Sequence, residues 1–281
     1  MSDHVTLGDR IKTLPQFLLP QQALTRLANR ISNSKRLARP MIALIRRLFA
    51  IELDDYQMPD GGFATFDAFF TRALRPGARR FPDDPAAIAC PSDGRISQIG
   101  AVTGGSLLQA KGRSFRLHEL LADRDWAERL DGGRFVTVYL APSDYHRVHV
   151  PVSGRLLREW RVPGKLFSVS EATTRTVDRL FARNERMVAL FETTHGPVAV
   201  VMVAAMLVAG IETTWDTNGP TRPGRTVSKR DFDPQPELVR GDELGRFHWG
   251  STVIVVTPPG APAWRPELSA GAVVRLGQPL T

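Results

Sequence analysis

"VAVVMVAAMLVAGI", residues 198–211, is the longest apolar run in the chain, and its reading decides the fold. A helix that spans a bilayer needs about 20 such residues, and this run is shorter. Its valines favour a pleated strand, and "THGP" before it and "ETT" after it supply the boundaries. It reads as buried β structure. Other β-branched or alternating runs recur from about Ala87 onward between Gly, Pro and Asp turns: "RISQIGAV", "RFVTVYLA", "HRVHVPVSGRLLREWRV" and "STVIVVTP". Residues 76–281 therefore form a β-rich domain, and "TNGPTRPGR", residues 217–225, is its most loop-like stretch.

The first 75 residues have a different texture. Leu24, Leu27, Ala28 and Ile31 fall at helical spacing, with Arg26 and Arg30 on another face. After Pro40, which suits a first helical position, Met41, Leu44, Ile45 and Leu48 repeat the pattern beside Arg46 and Arg47. "LPQFLLPQQ" ahead of them sets a Leu/Phe cluster between prolines. "TFDAFFTRALRPGARR", residues 65–80, reads as a short helix with Phe66, Phe69 and Phe70 as its apolar side, ending at Pro76-Gly77. The expected class is α+β, an N-terminal amphipathic helical layer followed by a β-rich core.

Charge is concentrated in the same segment. Of a net +8 over 281 residues, residues 1–50 carry +7, from nine Lys and Arg against Asp3 and Asp9. A basic helical pair with apolar teeth suits the headgroup region of an anionic membrane. It equally suits helices packed on their own core with the arginines in water. Nucleic-acid binding is not expected, because Phe17 and Phe49 are the only aromatics there and no recognition motif is present.

The single cysteine, Cys90, excludes an internal disulfide and a multi-cysteine zinc site, and fits a reducing compartment. The start, "MSDHVTLGDR", lacks the apolar core of a secretory signal, so export is not expected. There is no GxSxG, HExxH, Walker A or GxGxxG signature. Lys165, in "VPGKLFSVS", has the chemistry for a pyridoxal Schiff base, but a lone GK step reads as a solvated loop lysine.

Polar chemistry gathers in three stretches: "CPSDGRI" with Asp93, "APSDYHRVHVP" with His146 and His149, and "WGST" with Ser251. An Asp-Gly pair often only turns a hairpin. On a straight strand the two histidines point to opposite faces, so they share a pocket only if "PSDYH" bends the chain. Ser251 with a histidine and an aspartate suffices for a Ser-His-Asp arrangement, in which the aspartate fixes the histidine tautomer. Gly250, lacking a Cβ, can hold its carbonyl in a strained conformation open to the Ser251 hydroxyl. Attack there converts the amide to an ester, and β-elimination then leaves dehydroalanine, which hydrolyses to an N-terminal pyruvoyl group and ammonia. Thr252 would instead give a 2-ketobutyryl group. A pyruvoyl ketone can form a Schiff base with an amine and accept electrons as a carboxylate leaves. The plain alternative is a glycine turn entering a strand.

Together these stretches resemble the phosphatidylserine decarboxylase family, pyruvoyl-dependent, membrane-associated proenzymes of bacterial type. The resemblance runs in order through "TFDAFFTRALRPGAR", "PSDGRI", "YLAPSDYHRVHVP", "PGKLFSV", "LFARNERMV", "VMVAAMLVAGIET" and "GDELGRFHWGSTVIV". It implies that Asp93, His149 and Ser251 form a self-cleavage triad cutting between Gly250 and Ser251. The products are a β subunit ending at Gly250 and an α subunit whose pyruvoyl cofactor derives from Ser251, with neither pyridoxal phosphate nor metal. It implies that His146 acts at decarboxylation, protonating the carbanion or steering the carboxylate, and that Ser168 is a candidate substrate contact. The implied partners are phosphatidylserine and an anionic membrane surface, with a peripheral location on the cytoplasmic face of the cell membrane and a homodimer of α/β units. It favours the membrane reading of the basic helices. Trp249 departs from the family's usual leucine, which bears on cleavage rate or pocket shape, and His248 has no family role and reads as a loop residue. Two rivals stay open: a serine hydrolase using Ser251, His149 and Asp93 on an external ester, and a non-catalytic basic membrane-binding protein.

Overall fold

The computed structural model describes residues 5–110, 112–206, 210–216, 219, 224–248 and 250–281. Trp249 and most of the 217–225 loop lie outside them. The chain opens with α1 (Leu7–Thr13), α2 (Pro15–Leu18), α3 (Gln21–Ser32), α4 (Lys35–Phe49) and α5 (Phe66–Phe70). Next come β1 (Gly94–Ala101), the paired β2 (Ser106–Ala110) and β3 (Arg113–Arg116), α6 (Leu117–Leu121), α7 (Arg124–Leu130), β4 (Arg134–Leu140), β5 (Arg147–His149) and β6 (Gly154–Val162). Helices α8 (Glu171–Thr176) and α9 (Leu180–Arg183) precede β7 (Arg186–Thr193), β8 (Gly196–Ala204) and β9 (Ile211–Thr213). The chain ends with β10 (Ser228–Asp231), β11 (Glu237–Leu238), β12 (Glu243–Phe247), β13 (Ser251–Thr257) and β14 (Val273–Val274).

The main antiparallel sheet runs β10-β6-β7-β8-β13-β4-β1-β14, with β11 also paired to β6. A second sheet runs β5-β12-β9. The fold is α+β. The decisive run divides between the two sheets: Val198–Ala204 lies in β8 and Ile211 opens β9, while residues 207–209 fall outside the described residues. Its lack of alternation has a packing cause. Residues 198–204 and all seven residues of β13 are buried, so both faces of these central strands are covered. Leu117, Leu120, Leu130, Leu180 and Phe181, from α6, α7 and α9, join the same core.

The helical layer differs from expectation in three respects. Helix α4 begins at Lys35 and carries Pro40 inside it, because Met41, Ile42 and Ile45 dock on the Phe66–Phe69–Phe70 cluster and offset the lost amide bond. Helix α5 stops at Phe70 rather than at Pro76: Thr65 caps its start, and Leu74 forms a β-bridge with Tyr56 instead of continuing the helix. Helix α3 turns its polar Gln21, Thr25 and Ser32 inward and leaves Leu27 and Ile31 exposed. Leu14, Phe17, Leu18, Leu44 and Leu48 are exposed as well. Packing on the protein's own core therefore accounts for Met41, Ile42 and Ile45 but leaves Leu27, Ile31, Leu44 and Leu48 exposed.

Candidate active site

Ser251 begins β13, opposite Leu140 at the end of β4 and Ala204 at the end of β8. Asp93 immediately precedes β1, the next strand beyond β4, so Asp93 and Ser251 sit at the same end of the sheet, two strands apart. At the usual strand spacing that is roughly 10 Å of backbone. Gly94 is required beside Asp93, because a Cβ there would lie 2.4 Å from the Tyr139 carbonyl oxygen. The Ser251 hydroxyl is fully buried and has no hydrogen-bond partner among the described residues. Leaving a buried hydroxyl unpaired is costly, and Thr252 and Thr137 in the same pair of strands share this state. Gly250 does not show the expected strain: its φ lies outside the left-handed region, and an added Cβ would meet nothing within 4 Å. The space beside the Gly250 Cα is open.

Asp93 is held by Arg79, whose Nε donates to Oδ1 at 3.0 Å and whose Nη2 donates to Oδ2 at 2.5 Å; the Leu276 amide also donates to Oδ1. Arg79 is shared with Asp55 at 2.7 Å. A cleft of about 430 Å³ opens beside this group, with Tyr56, Ser143 and Asp144 on its wall.

His149 lies on β5 opposite Glu243 of β12. Its Nδ1 donates to the Gly241 carbonyl at 2.7 Å and its Nε2 accepts from the Tyr145 hydroxyl at 2.9 Å, with the two rings stacked at 5.7 Å. Burial pushes its pKa down, leaving the ring neutral. His146 stands apart from it. It precedes β5, is fully buried, and stacks on Phe70 at 3.9 Å. Neither of its ring nitrogens meets hydrogen-bond geometry; burial and then the Arg72 guanidinium push its pKa down to about 3, against weak opposition from the Ala141 and Pro142 carbonyls. The chain turns at residues 142–144, before His146, and runs as strand β5 from Arg147 to His149, so the two histidines keep separate surroundings. His146 is the nearer of the two to the scissile step along the chain register, since its carbonyl accepts from the Phe247 amide.

Asp93 and Ser251 thus lie at one end of the main sheet, while His149 lies on the second sheet with its amide donating to the Pro91 carbonyl, and among the described residues no hydrogen bond joins any two of the three. Ser168 lies on the loop between β6 and α8, where its amide donates to Gln16 Oε1 and its hydroxyl accepts from the Ser170 amide. Asn184, in the "FARNER" stretch, ties that loop to the site: its Nδ2 donates to the carbonyls of Phe167 and Ala204, and Ala204 pairs with Ser251.

The reading of the residues missed two members of this region. Arg72 is buried, lies 4.1 Å over the Tyr56 ring, and donates to the carbonyls of Phe69, Ser143 and Asp144, so it supports the loop that leads to His146. His248 is no loose loop residue. Its Nδ1 lies 2.9 Å from the Asp67 carboxylate and its Nε2 lies 2.9 Å from Glu212. The only sequence signal for Arg72 is an arginine directly after a Phe-rich turn, and His248 offers none. Among the described residues, no group of three or more His, Cys, Asp or Glu side chains is placed to hold a metal ion.

A family model described as phosphatidylserine decarboxylase matches residues 66–281. Proteins named phosphatidylserine decarboxylase proenzyme are similar over nearly the whole chain. That of Ectopseudomonas mendocina is 46% identical over 280 residues, covering 97% of this chain and 98% of its own. Those of Xanthomonas campestris pv. campestris (strain B100) and Methylococcus capsulatus are each 47% identical, covering 94% and 93% of this chain and 95% and 93% of their own. Such likeness, on an α+β fold with a buried serine at a strand mouth, defines a lyase of the decarboxylase class. The chain belongs to the phosphatidylserine decarboxylase family.

Proposed function

We propose that this chain is a proenzyme that cuts itself between Gly250 and Ser251 and then decarboxylates phosphatidylserine to phosphatidylethanolamine. The observation that carries the reading is the buried, unpartnered Ser251 hydroxyl directly after an uncrowded glycine. In the cutting step the Ser251 oxygen bonds to the Gly250 carbonyl carbon as its proton passes to a base. The Gly250–Ser251 C–N bond then breaks, and the freed Ser251 nitrogen takes a proton. Loss of the Ser251 α-proton expels the Gly250 carboxylate, and water releases ammonia.

His149 is assigned as the base. The Gly241 carbonyl fixes the proton at Nδ1, which leaves Nε2 as the basic atom, and its partner in the uncut chain is Tyr145. Attack requires Nε2 to exchange the Tyr145 hydroxyl for that of Ser251. Asp93 acts with Arg79 to hold the mouth of β1, and its negative charge favours the imidazolium that forms as His149 takes the proton.

A pyruvoyl group in place of Ser251 fits this buried position, where it would supply a carbonyl electrophile that captures the substrate amine and draws electrons as carbon dioxide leaves. His146 is then the proton donor to the α-carbon. With its pKa near 3 it is neutral around pH 7, so it would not hold the substrate carboxylate as an ion-pair partner. As a neutral ring it must first take up a proton, against the burial that keeps it uncharged, before it can deliver one to the α-carbon.

The exposed apolar teeth of α2, α3 and α4, set among basic residues, support peripheral docking on an anionic bilayer. No described helix is long and apolar enough to cross a membrane. A groove of about 950 Å³ beside the Ser168 loop is lined by Arg26, Lys165, Arg183 and Arg225 with Phe17 and Phe167, a lining suited to an anionic lipid headgroup. Carbon dioxide release from phosphatidylserine vesicles tests the activity. The wild type releases it, Ser251→Ala does not, and His146→Ala is cut but releases little; full activity in Ser251→Ala contradicts the reading.

A further inference from the structure

The scissile segment is short. β12 ends at Phe247 and β13, in the other sheet, begins at Ser251, so the Gly250 carbonyl lies between two strands whose places are fixed. The register of β13 fixes the Ser251 side of the bond. On the other side, Gly250 has no side chain and an added Cβ would touch nothing within 4 Å, so packing at Gly250 itself does not hold it. His248 is different. Its amide donates to the Gly210 carbonyl at 3.3 Å, and its imidazole lies between Asp67 of α5 and Glu212 of β9, each at 2.9 Å.

Each carboxylate only accepts, so both ring nitrogens must carry protons for both bonds to form. A neutral ring satisfies one. The bridge therefore exists in full only as an imidazolium, joining the scissile segment to the helical layer and to the second sheet. The charged groups around it are Asp67, Glu212, Arg246 of β12, which stands 3.8 Å from Glu212 Oε1, and Glu243, which pairs with both Arg246 and Arg147. Burial works against the charge on His248, but the hydrogen bonds and fields of Asp67 and Glu212 outweigh it and raise the pKa above 6.5.

We propose that His248 is a positioning residue for self-cleavage: an imidazolium clamp, two residues before the scissile glycine, that sets the Gly250 carbonyl against the Ser251 hydroxyl. This rests on the cleavage site assigned above. Because the clamp needs the second proton, positioning weakens as pH rises through the raised His248 pKa. The demand for a basic His149 acts in the opposite direction, so cleavage has an acid limb from His149 and an alkaline limb from His248.

The test follows the conversion of full-length chain to two fragments after cell-free synthesis, across pH, for the wild type, His248→Gln and His248→Lys. Charge-assisted hydrogen bonds of this kind lead us to expect His248→Gln to be cut about ten-fold or more slowly near neutral pH. Its profile should lack the alkaline limb. His248→Lys, which keeps a cation at higher pH, should recover part of the rate and extend it to more alkaline pH than the wild type. A purely structural role predicts less folded protein but an unchanged pH profile. Wild-type cleavage together with a His248→Gln variant cut at the wild-type rate and profile overturns the clamp alone. A wild-type chain that is never cut removes the cleavage reading and the clamp with it.

Discussion

Nδ1 of His149 lies 2.7 Å from the carbonyl oxygen of Gly241, so a main-chain carbonyl fixes the tautomer of this ring while Asp93 is engaged by Arg79 and the Leu276 amide. Gly241 has φ +96°, and a Cβ there would lie 3.2 Å from the Phe81 ring. Gly241→Ala therefore strains the backbone by about 1–3 kcal/mol and displaces the carbonyl that holds His149. Cleavage followed by gel electrophoresis should be markedly slower. A wild-type rate in this variant would show that the Gly241 contact does not set the ring.

The Tyr145 hydroxyl lies 2.9 Å from Nε2 of His149, the atom to which the proposed mechanism passes the Ser251 proton. Tyr145→Phe should be cut at least as fast as the wild type, because the exchange no longer breaks a hydrogen bond. Abolished cleavage in a folded Tyr145→Phe protein would instead make the phenol part of the proton path.

Arg79 grips Asp93 through two nitrogens and Asp55 through one. Removing it frees the Asp93 carboxylate from its fork, so Arg79→Ala should lower cleavage nearly as far as Asp93→Ala. Arg79→Lys should restore little, since an ammonium cannot reproduce a bidentate contact. Normal processing in Arg79→Ala would separate the ion pair from catalysis.

His146 has an ordinary pKa of 6.5 when unfolded and about 3 when folded. Below about pH 6.5 the unfolded chain binds a proton that the folded chain refuses, so His146 lowers stability progressively as pH falls from about 6.5 toward 3. Above that window it has no such effect. Thermal melts should show the wild type losing more stability between pH 7 and pH 4 than His146→Gln does. Parallel losses would mean that His146 accepts a proton in the folded state.

Leu14 and Leu18 are exposed at 64% and 83%. If they enter lipid, replacing both with Glu should weaken binding to anionic vesicles by about ten-fold or more, given the transfer energy of two leucines. Fragment formation should not change. Unaltered vesicle binding would move the membrane contact elsewhere.

The sequence revealed much of this arrangement where the signal was local. The valine runs pointed to strands and the Leu/Arg periodicity to amphipathic helices, but the periodicity did not tell which apolar residues would pack and which would stay exposed. Pro40 misled because tertiary docking of Met41, Ile42 and Ile45 overrides a local start signal. Asp93, His146, His149 and Ser251 stand out in the sequence as candidates, but the partners that hold each of them do not. The Asp67–His248–Glu212 bridge joins positions 181 and 36 residues apart, and no spacing rule connects them. Gly241 contributes through a carbonyl, which has no sequence signature at all. Arg72 and Asn184 likewise act on backbone atoms brought close only by the fold.

The central claim is that Ser251 becomes the start of a second chain. An intact-mass spectrum of the purified full-length product tests it most directly. The account predicts two polypeptides divided between Gly250 and Ser251, the smaller comprising residues 251–281, blocked at its N-terminus and reactive with hydroxylamine. Ser251→Ala should give one chain. A single uncut wild-type chain, labelled at Ser251 by a fluorophosphonate, would contradict it and favour a serine hydrolase.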